Sequence, residues 1–327
     1  MILVTGATGL VGSHLVLHLI AQNQTVRALF RTEKGKLRVK AVFDFYNQSD
    51  LFSKIHWCQA DILDIPSLEV AFQQIEYVYH CAALVSFDPK EEENLRKTNI
   101  EGTQNIVNFC IDFKIKKLCY VSSIAALGDL LPHESSVTEE CEWNPEKQHS
   151  DYAISKYGAE MEVWRAQEEG LDVVVVNPGV ILGPLFWTDG SGEIYSKVKN
   201  GLPFFTKGST GFIGINDVVT TMVFLMQSTI VSEKFILVSE NKMYQEVVFA
   251  IAETLQVQKP KWYARKWITS IAWRANWVLV LFGKKSILTH DLANSLHSKD
   301  LYSNTKILST LKYRFEGIEE YIRSLKN

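Results

Sequence analysis

Eleven residues near the start constrain this chain more than any others: Ile2-Leu3-Val4-Thr5-Gly6-Ala7-Thr8-Gly9-Leu10-Val11-Gly12. Ile2-Leu3-Val4 reads as a short buried strand, and Ser13 to Ile20 continues as a helix. Between them Gly6, Gly9 and Gly12 fall at the spacing G-x-x-G-x-x-G. Gly6 permits a tight turn off the strand. Gly9 lets a pyrophosphate approach the backbone with no Cβ in the way, and Gly12 lets the helix pack closely on the strand. The helix N-terminus offers free N–H groups and a partial positive charge to phosphates, so Thr8, Leu10 and Val11 count with the glycines as cofactor-binding positions. Such a turn also occurs without a ligand. What gives it weight is a second pattern far downstream, Tyr152-Ala153-Ile154-Ser155-Lys156, a Y-x-x-x-K pair.

The intervening chain alternates between strand and helix patterns. Strands are expected at Thr25–Phe30, Lys54–Cys58, Tyr77–His80, Leu118–Val121 and Leu171–Val176, with helices over residues 67–74, 90–113 and 151–169. That alternation predicts an α/β fold of the Rossmann type, a doubly wound parallel sheet with helices on both faces. Ligands of such sheets bind beyond the carboxyl ends of the strands. Gly6, Arg31, Asp61, Ala82 and Ser123 all stand at such ends. Arg31 ends the second strand where an acid would accept bonds from ribose hydroxyls; an arginine there accommodates a 2′-phosphate instead. With Lys34, Lys36 and Arg38 nearby, it favours NADP(H), with NAD(H) still possible. Residues 128–150 are polar and irregular and read as a loop over the site.

The remaining chain is less regular. Glycines and prolines break it after residue 180, and Phe235-Ile236-Leu237-Val238 is expected to return to the main sheet. Residues 1–180 are therefore assigned to the dinucleotide-binding domain. Residues 181–327 are assigned mostly to a smaller, mainly helical substrate domain interleaved with it. The stretch 262–283 carries Trp262, Tyr263, Trp267, Trp273, Trp277 and Phe282. The simplest expectation is that these rings fill that domain's core; the sharper ones are a substrate pocket or weak contact with a membrane surface.

A net charge of −3 gives nucleic acid no support as a partner. No apolar run reaches spanning length, and no charged leader precedes the first strand, so a cytoplasmic protein is expected. Cys58, Cys81, Cys110, Cys119 and Cys141 include no C-x-x-C pair and are expected to be reduced thiols, with no metal site.

Tyrosine is a poor acid or base near neutrality, with an ordinary pKa of about 10. An ammonium one helical turn away, Lys156, would stabilise its phenolate. The Ser123 hydroxyl could bond a carbonyl or alcohol oxygen. Together these groups suit proton transfer at an oxygen while hydride moves to or from the adjoining carbon beside a nicotinamide.

With these residues in view, nearly the whole chain resembles the extended short-chain dehydrogenases/reductases. The resemblance is carried by Thr5–Gly12, Asp61-Ile62, His80-Cys81-Ala82-Ala83, Asn99–Thr103, Val121-Ser122-Ser123, Tyr152–Lys156 and Asn177-Pro178-Gly179. It implies catalytic roles for Ser123, Tyr152 and Lys156. It implies adenine contacts for Asp61 and Ile62, a ribose-facing backbone at Ala82 and Ala83, and a nicotinamide-facing segment at Pro178 and Val180. Ser122 is expected to line the cofactor, and Asn99 either shapes the site or holds its helix. The family also implies a possible homodimer through the helices near 100–112 and 152–168. Ser123 is followed by Ile124-Ala125-Ala126, without the acidic pair of the dehydratases. Ser209-Thr210-Gly211 stands where nucleotide-sugar enzymes usually carry a diphosphate-binding arginine. Val26–Arg31 looks like the dihydroflavonol-reductase-like group, which sits beside the 3β-hydroxysteroid dehydrogenases. The leading expectation is a reductase or dehydrogenase acting on a carbonyl or secondary alcohol of a largely apolar small molecule. The alternatives are a nucleotide-sugar epimerase with tightly bound NAD and a dinucleotide-binding protein without catalysis.

Overall fold

The computed structural model describes residues 1–131, 134–281 and 289–325. Strands and helices alternate from the start: β1 (Ile2–Thr5), α1 (Leu10–Ala21), β2 (Val26–Phe30), α2 (Glu33–Phe45), β3 (His56–Gln59), α3 (Ile65–Ala71) and β4 (Tyr77–His80). Then come α4 (Glu92–Leu95), wider helical turns over Arg96–Glu101, α5 (Gly102–Asp112), β5 (Lys117–Val121), α6 (Asp151–Glu168) and β6 (Val173–Pro178). After these the chain forms β7 (Val180–Leu182), α7 (Glu193–Lys199), β8 (Phe204–Phe205), β9 (Ser209–Gly214), α8 (Ile215–Gln227), β10 (Glu233–Leu237), β11 (Glu240–Met243) and α9 (Tyr244–Leu255). It ends with β12 (Trp262–Tyr263), α10 (Lys266–Leu281), α11 (His290–Ser295), α12 (Thr305–Thr310) and α13 (Ile318–Ser324).

The main sheet has seven strands in the order β10-β6-β5-β4-β1-β2-β3, all parallel. Its inner strands are short, mostly apolar runs because both faces are covered. Alternation divides them cleanly. Val4, Ala28, Tyr79, Cys119, Val174 and Val176 face one core, which also takes residues of α1, α2 and α8. Leu3, Leu29, Val78, Leu118, Val173 and Val175 face the other, which takes residues of α3, α5 and α6. β1 and β4 are neighbours although β2 and β3 lie on the far side of β1, so the strand order reverses there and opens a crevice at the carboxyl ends. The expected return of residues 235–238 is met by β10, which extends the sheet beside β6.

The region after residue 180 is mainly helical, as expected, with short strands added to it. β7, β9 and β11 form a second sheet, and β8 pairs with β12. The glycines there do more than break the chain. A Cβ on Gly179 would fall 2.4 Å from the Gly211 carbonyl oxygen, and one on Gly211 would fall 2.4 Å from a Val238 methyl. These positions are glycine because two strands and a side chain meet closely. Nor do the aromatic residues all fill a core. Trp262 and Trp267 are largely exposed, while Phe282 and the side chain of Trp277 lie outside the described residues.

Candidate active site

The glycine turn is built as its spacing predicts. Gly6 has a φ of +62°, and a Cβ on it would collide with Cys81 and Ala82 at about 2.5 Å. A Cβ on Gly12 would fall 2.2 Å from the Gly6 carbonyl oxygen. Gly9 differs: its Cβ would meet only that same oxygen, at 3.4 Å, and otherwise point into open space. Gly9 is also the N-cap of α1 and supplies no side-chain cap, so the amides that follow it, from Leu10 and Val11, stay available to phosphate oxygens. This cradle fits a dinucleotide. The wall opposite is pinned by a buried chain: the Thr5 hydroxyl accepts the Ala82 amide at 3.2 Å and lies 2.6 Å from His80 Nδ1, while His80 Nε2 lies 3.0 Å from the Thr103 hydroxyl. Burial pushes His80 down to about 3, so it is neutral.

Arg31 extends from the end of β2 with its side chain 74% exposed, 3.7 Å from the Asp61 carboxylate. Asp61 also accepts the Leu63 amide at 3.0 Å, and Ile62 packs beneath Gly102. The basic cluster expected around Arg31 is partly committed elsewhere. Lys36 pairs with Glu33 at 2.8 Å, and Arg38 pairs with Asp189 while lying over the Phe186 ring. Thr8 packs against Gly35 at the start of α2, which brings that helix to the turn.

At the end of β5 the two serines are separated by their partners. Ser122 Oγ donates to the buried Glu160 carboxylate at 2.6 Å. Ser123 opens a short turn, accepts the Ala125 amide at 3.1 Å and stands beside Tyr152. Burial raises the Tyr152 pKa, and the Ser123 hydroxyl opposes that rise. The expected lowering by Lys156 is not what the geometry provides. Lys156 Nζ donates instead to the Tyr120 hydroxyl at 2.6 Å and to the Val121 carbonyl at 2.9 Å. Desolvation lowers its pKa to about 7, with Glu160 and Cys81 acting in the other direction. Asn99 bonds the backbone of Leu84 in both directions and donates to Ser155 at 2.9 Å, so it ties the segment after β4 to α6. That segment carries the exposed Val85 and Phe87, and the Phe87 ring centroid lies 5.7 Å from that of Tyr152. Pro178 ends β6 and Val180 begins β7.

Three residues were missed by sequence reasoning: Tyr120, Glu160 and Phe87. Glu160 accepts from Ser122, from Asn177 Nδ2 at 3.0 Å and from Trp164 Nε1 at 3.3 Å; Asn177 also donates to the Ser123 carbonyl at 3.0 Å. The Ser122 hydroxyl directly, and the Ser123 carbonyl through Asn177, are thus tied to one buried carboxylate. Its only sequence signal is its place one turn beyond Lys156 on the same helix face. The irregular loop over the site is anchored by stacked rings. His149 lies 3.8 Å from Trp143, which lies 4.3 Å from Tyr157 on α6.

The model of the NAD dependent epimerase/dehydratase family matches residues 2–237. The chain belongs to that family. A putative dihydroflavonol 4-reductase of Synechocystis sp. is 28% identical over 323 residues, covering 94% of this chain and 88% of that protein. Tetraketide alpha-pyrone reductase 2 of Arabidopsis thaliana is 30% identical over 262 residues, covering 75% of this chain and 80% of that one. The solved UDP-glucose 4-epimerase of Thermotoga maritima, determined with UDP-glucose, superposes with a TM-score of 0.77 at 21% identity, covering 99% of this chain and 97% of that one. That last likeness establishes the shared fold. The relatives make this chain an enzyme of the extended short-chain dehydrogenase/reductase type that uses a nicotinamide dinucleotide.

Proposed function

We propose that the protein is an NADP(H)-dependent reductase or dehydrogenase acting on a carbonyl or secondary alcohol of a largely apolar small molecule. The observation that carries this reading is the meeting of Ser123, Tyr152 and Phe87 beyond the end of β5, one strand from the glycine turn's own β4 neighbour. The nicotinamide cofactor, when bound, supplies or accepts the hydride. The Gly6–Gly12 turn and the α1 N-terminus hold its pyrophosphate, Asp61 and Ile62 its adenine, and Ala82, Ala83, Pro178 and Val180 its nicotinamide half. Tyr152, kept protonated by burial, donates its phenolic proton to the substrate oxygen, and Ser123 bonds the same oxygen. Lys156 holds the Tyr120 hydroxyl and the Val121 carbonyl in place beneath the site. Val85 and Phe87 offer the apolar wall that such a substrate needs.

Arg31 is proposed to bind the 2′-phosphate of NADP(H), for which its exposed guanidinium supplies the fork. Free thiols at all five cysteines support a cytoplasmic protein. A homodimer through α5 and α6 belongs to the same reading. Titration of cofactor-free protein with NADPH and NADH tests it: NADPH should bind more tightly, and Arg31→Ala should weaken it by about tenfold or more. Tyr152→Phe should cut turnover by about a hundredfold or more with NADPH binding intact. Retained NAD with no net redox turnover would overturn the proposal in favour of a nucleotide-sugar epimerase.

A further inference from the structure

The face formed by β8, β12 and the first turns of α10 is built inside out. The strands place Trp262 beside Phe204, and both side chains are exposed, Trp262 at 65%. Along α10, Trp267 and Ile271 stand one turn apart and are 61% and 60% exposed. The residue that α10 buries, among those described, is the polar Thr269, whose hydroxyl lies 2.8 Å from His297 Nε2. A helix that turns a hydroxyl inward and a tryptophan and an isoleucine outward reverses the usual amphipathic arrangement. Large exposed rings gathered in this way mark a surface that meets another apolar phase.

Charge identifies that phase. The chain as a whole carries a net charge of −3, yet from Thr254 to His290 it contains no aspartate or glutamate. The same described stretch carries Lys261, Arg265, Lys266 and Arg274, all exposed, and Lys259, which pairs with Glu253. Tryptophan has a broad apolar body and a polar N–H, the combination that settles at the level of lipid headgroups. Basic residues around it add attraction to anionic headgroups, about 1 kcal/mol for each one near the surface. Among the described residues no helix is long and apolar enough to cross a membrane, so contact of this kind lies on the surface.

We infer that this face docks the enzyme peripherally on an anionic lipid bilayer, with Trp262, Trp267, Ile271 and Phe204 entering the headgroup layer and Lys261, Arg265 and Lys266 facing the phosphates. The inference is independent of which substrate the active site takes. Full-length protein would be sedimented with vesicles of phosphatidylcholine and phosphatidylglycerol, with pure phosphatidylcholine as control. Binding should require the anionic lipid, fall as salt is raised, and shift tryptophan emission to the blue. Trp262→Ser with Trp267→Ser should abolish it, and Arg265→Gln with Lys266→Gln should weaken it by about thirtyfold. All four side chains are exposed, so the fold and cofactor binding should survive these changes. No sedimentation with either vesicle, or equal sedimentation with both, would overturn the inference. A concentration-dependent dimer that the tryptophan substitutions abolish would also overturn it, because the face would then belong to a second copy of the chain.

Discussion

Replacing Lys156 by methionine tests the electrostatics of the site without any substrate. The amine is 1% exposed, and burial takes its pKa from 10.5 down to about 7. The folded value is the lower one. Between about pH 7 and pH 10.5 the unfolded chain therefore holds a proton that the native state has released, and stability rises with pH across that window. The penalty of keeping the charged amine buried is fully present below about pH 7 and is relieved above it. From about pH 7 to pH 9 the native amine goes from half to almost wholly neutral while the unfolded one stays charged. That change contributes about 2 kcal/mol. Lys156→Met removes this contribution. It also leaves the Tyr120 hydroxyl and the Val121 carbonyl without their donor, at about 1–3 kcal/mol each, but those losses do not vary with pH in this range. The stability difference between the two proteins thus isolates the amine when it is followed against pH. Urea unfolding at intervals over that range should show the variant losing about 2 kcal/mol relative to the parent. Parallel profiles would mean that the native amine titrates near its ordinary value and that the burial argument is wrong.

Gly9→Ala and Gly12→Ala should separate cofactor binding from folding. The added methyl at Gly12 would fall 2.2 Å from the Gly6 carbonyl oxygen and should cost about 3 kcal/mol or more, seen as a large drop in Tm. The one at Gly9 has room in the fold and should leave Tm nearly unchanged while weakening NADPH binding by about tenfold or more, and unchanged affinity would remove Gly9 from the phosphate cradle. Glu160→Gln should move the Lys156 titration to lower pH, because the carboxylate is the first of the groups that hold that amine charged. The pH-dependent rise in stability should begin correspondingly earlier, and an unmoved rise would exclude Glu160 from the electrostatics of Lys156. Glu160→Ala should cost about 2–4 kcal/mol, because Ser122, Asn177 and Trp164 would all lose their acceptor.

The sheet, its parallel order and the return of β10 were legible in the sequence because each rests on local chemistry. Apolar runs of strand length, one glycine turn and helices between them admit few other arrangements. The placement of Gly6, Arg31, Asp61, Ala82 and Ser123 at strand ends follows from the same pattern. The second sheet was not legible, because Gly179 and Gly211 look like loop residues until the strands that press against them are in place. The fate of individual polar residues was equally hidden. Ser122 and Ser123 are adjacent and alike, and strand alternation sends the first inward to Glu160 and leaves the second beside Tyr152. Glu160 and Glu162 are identical side chains two positions apart on α6, yet one is buried under the serines and the other pairs with Arg165 at 2.9 Å, on a part-exposed face. Motif determined that this chain would form a dinucleotide-binding fold and carry a tyrosine and a lysine one turn apart on α6. Which carboxylate sits beneath them, and which hydroxyl Lys156 holds, was decided by how α6 rotates against β5 and β6, because burial belongs to the packed face and not to the residue.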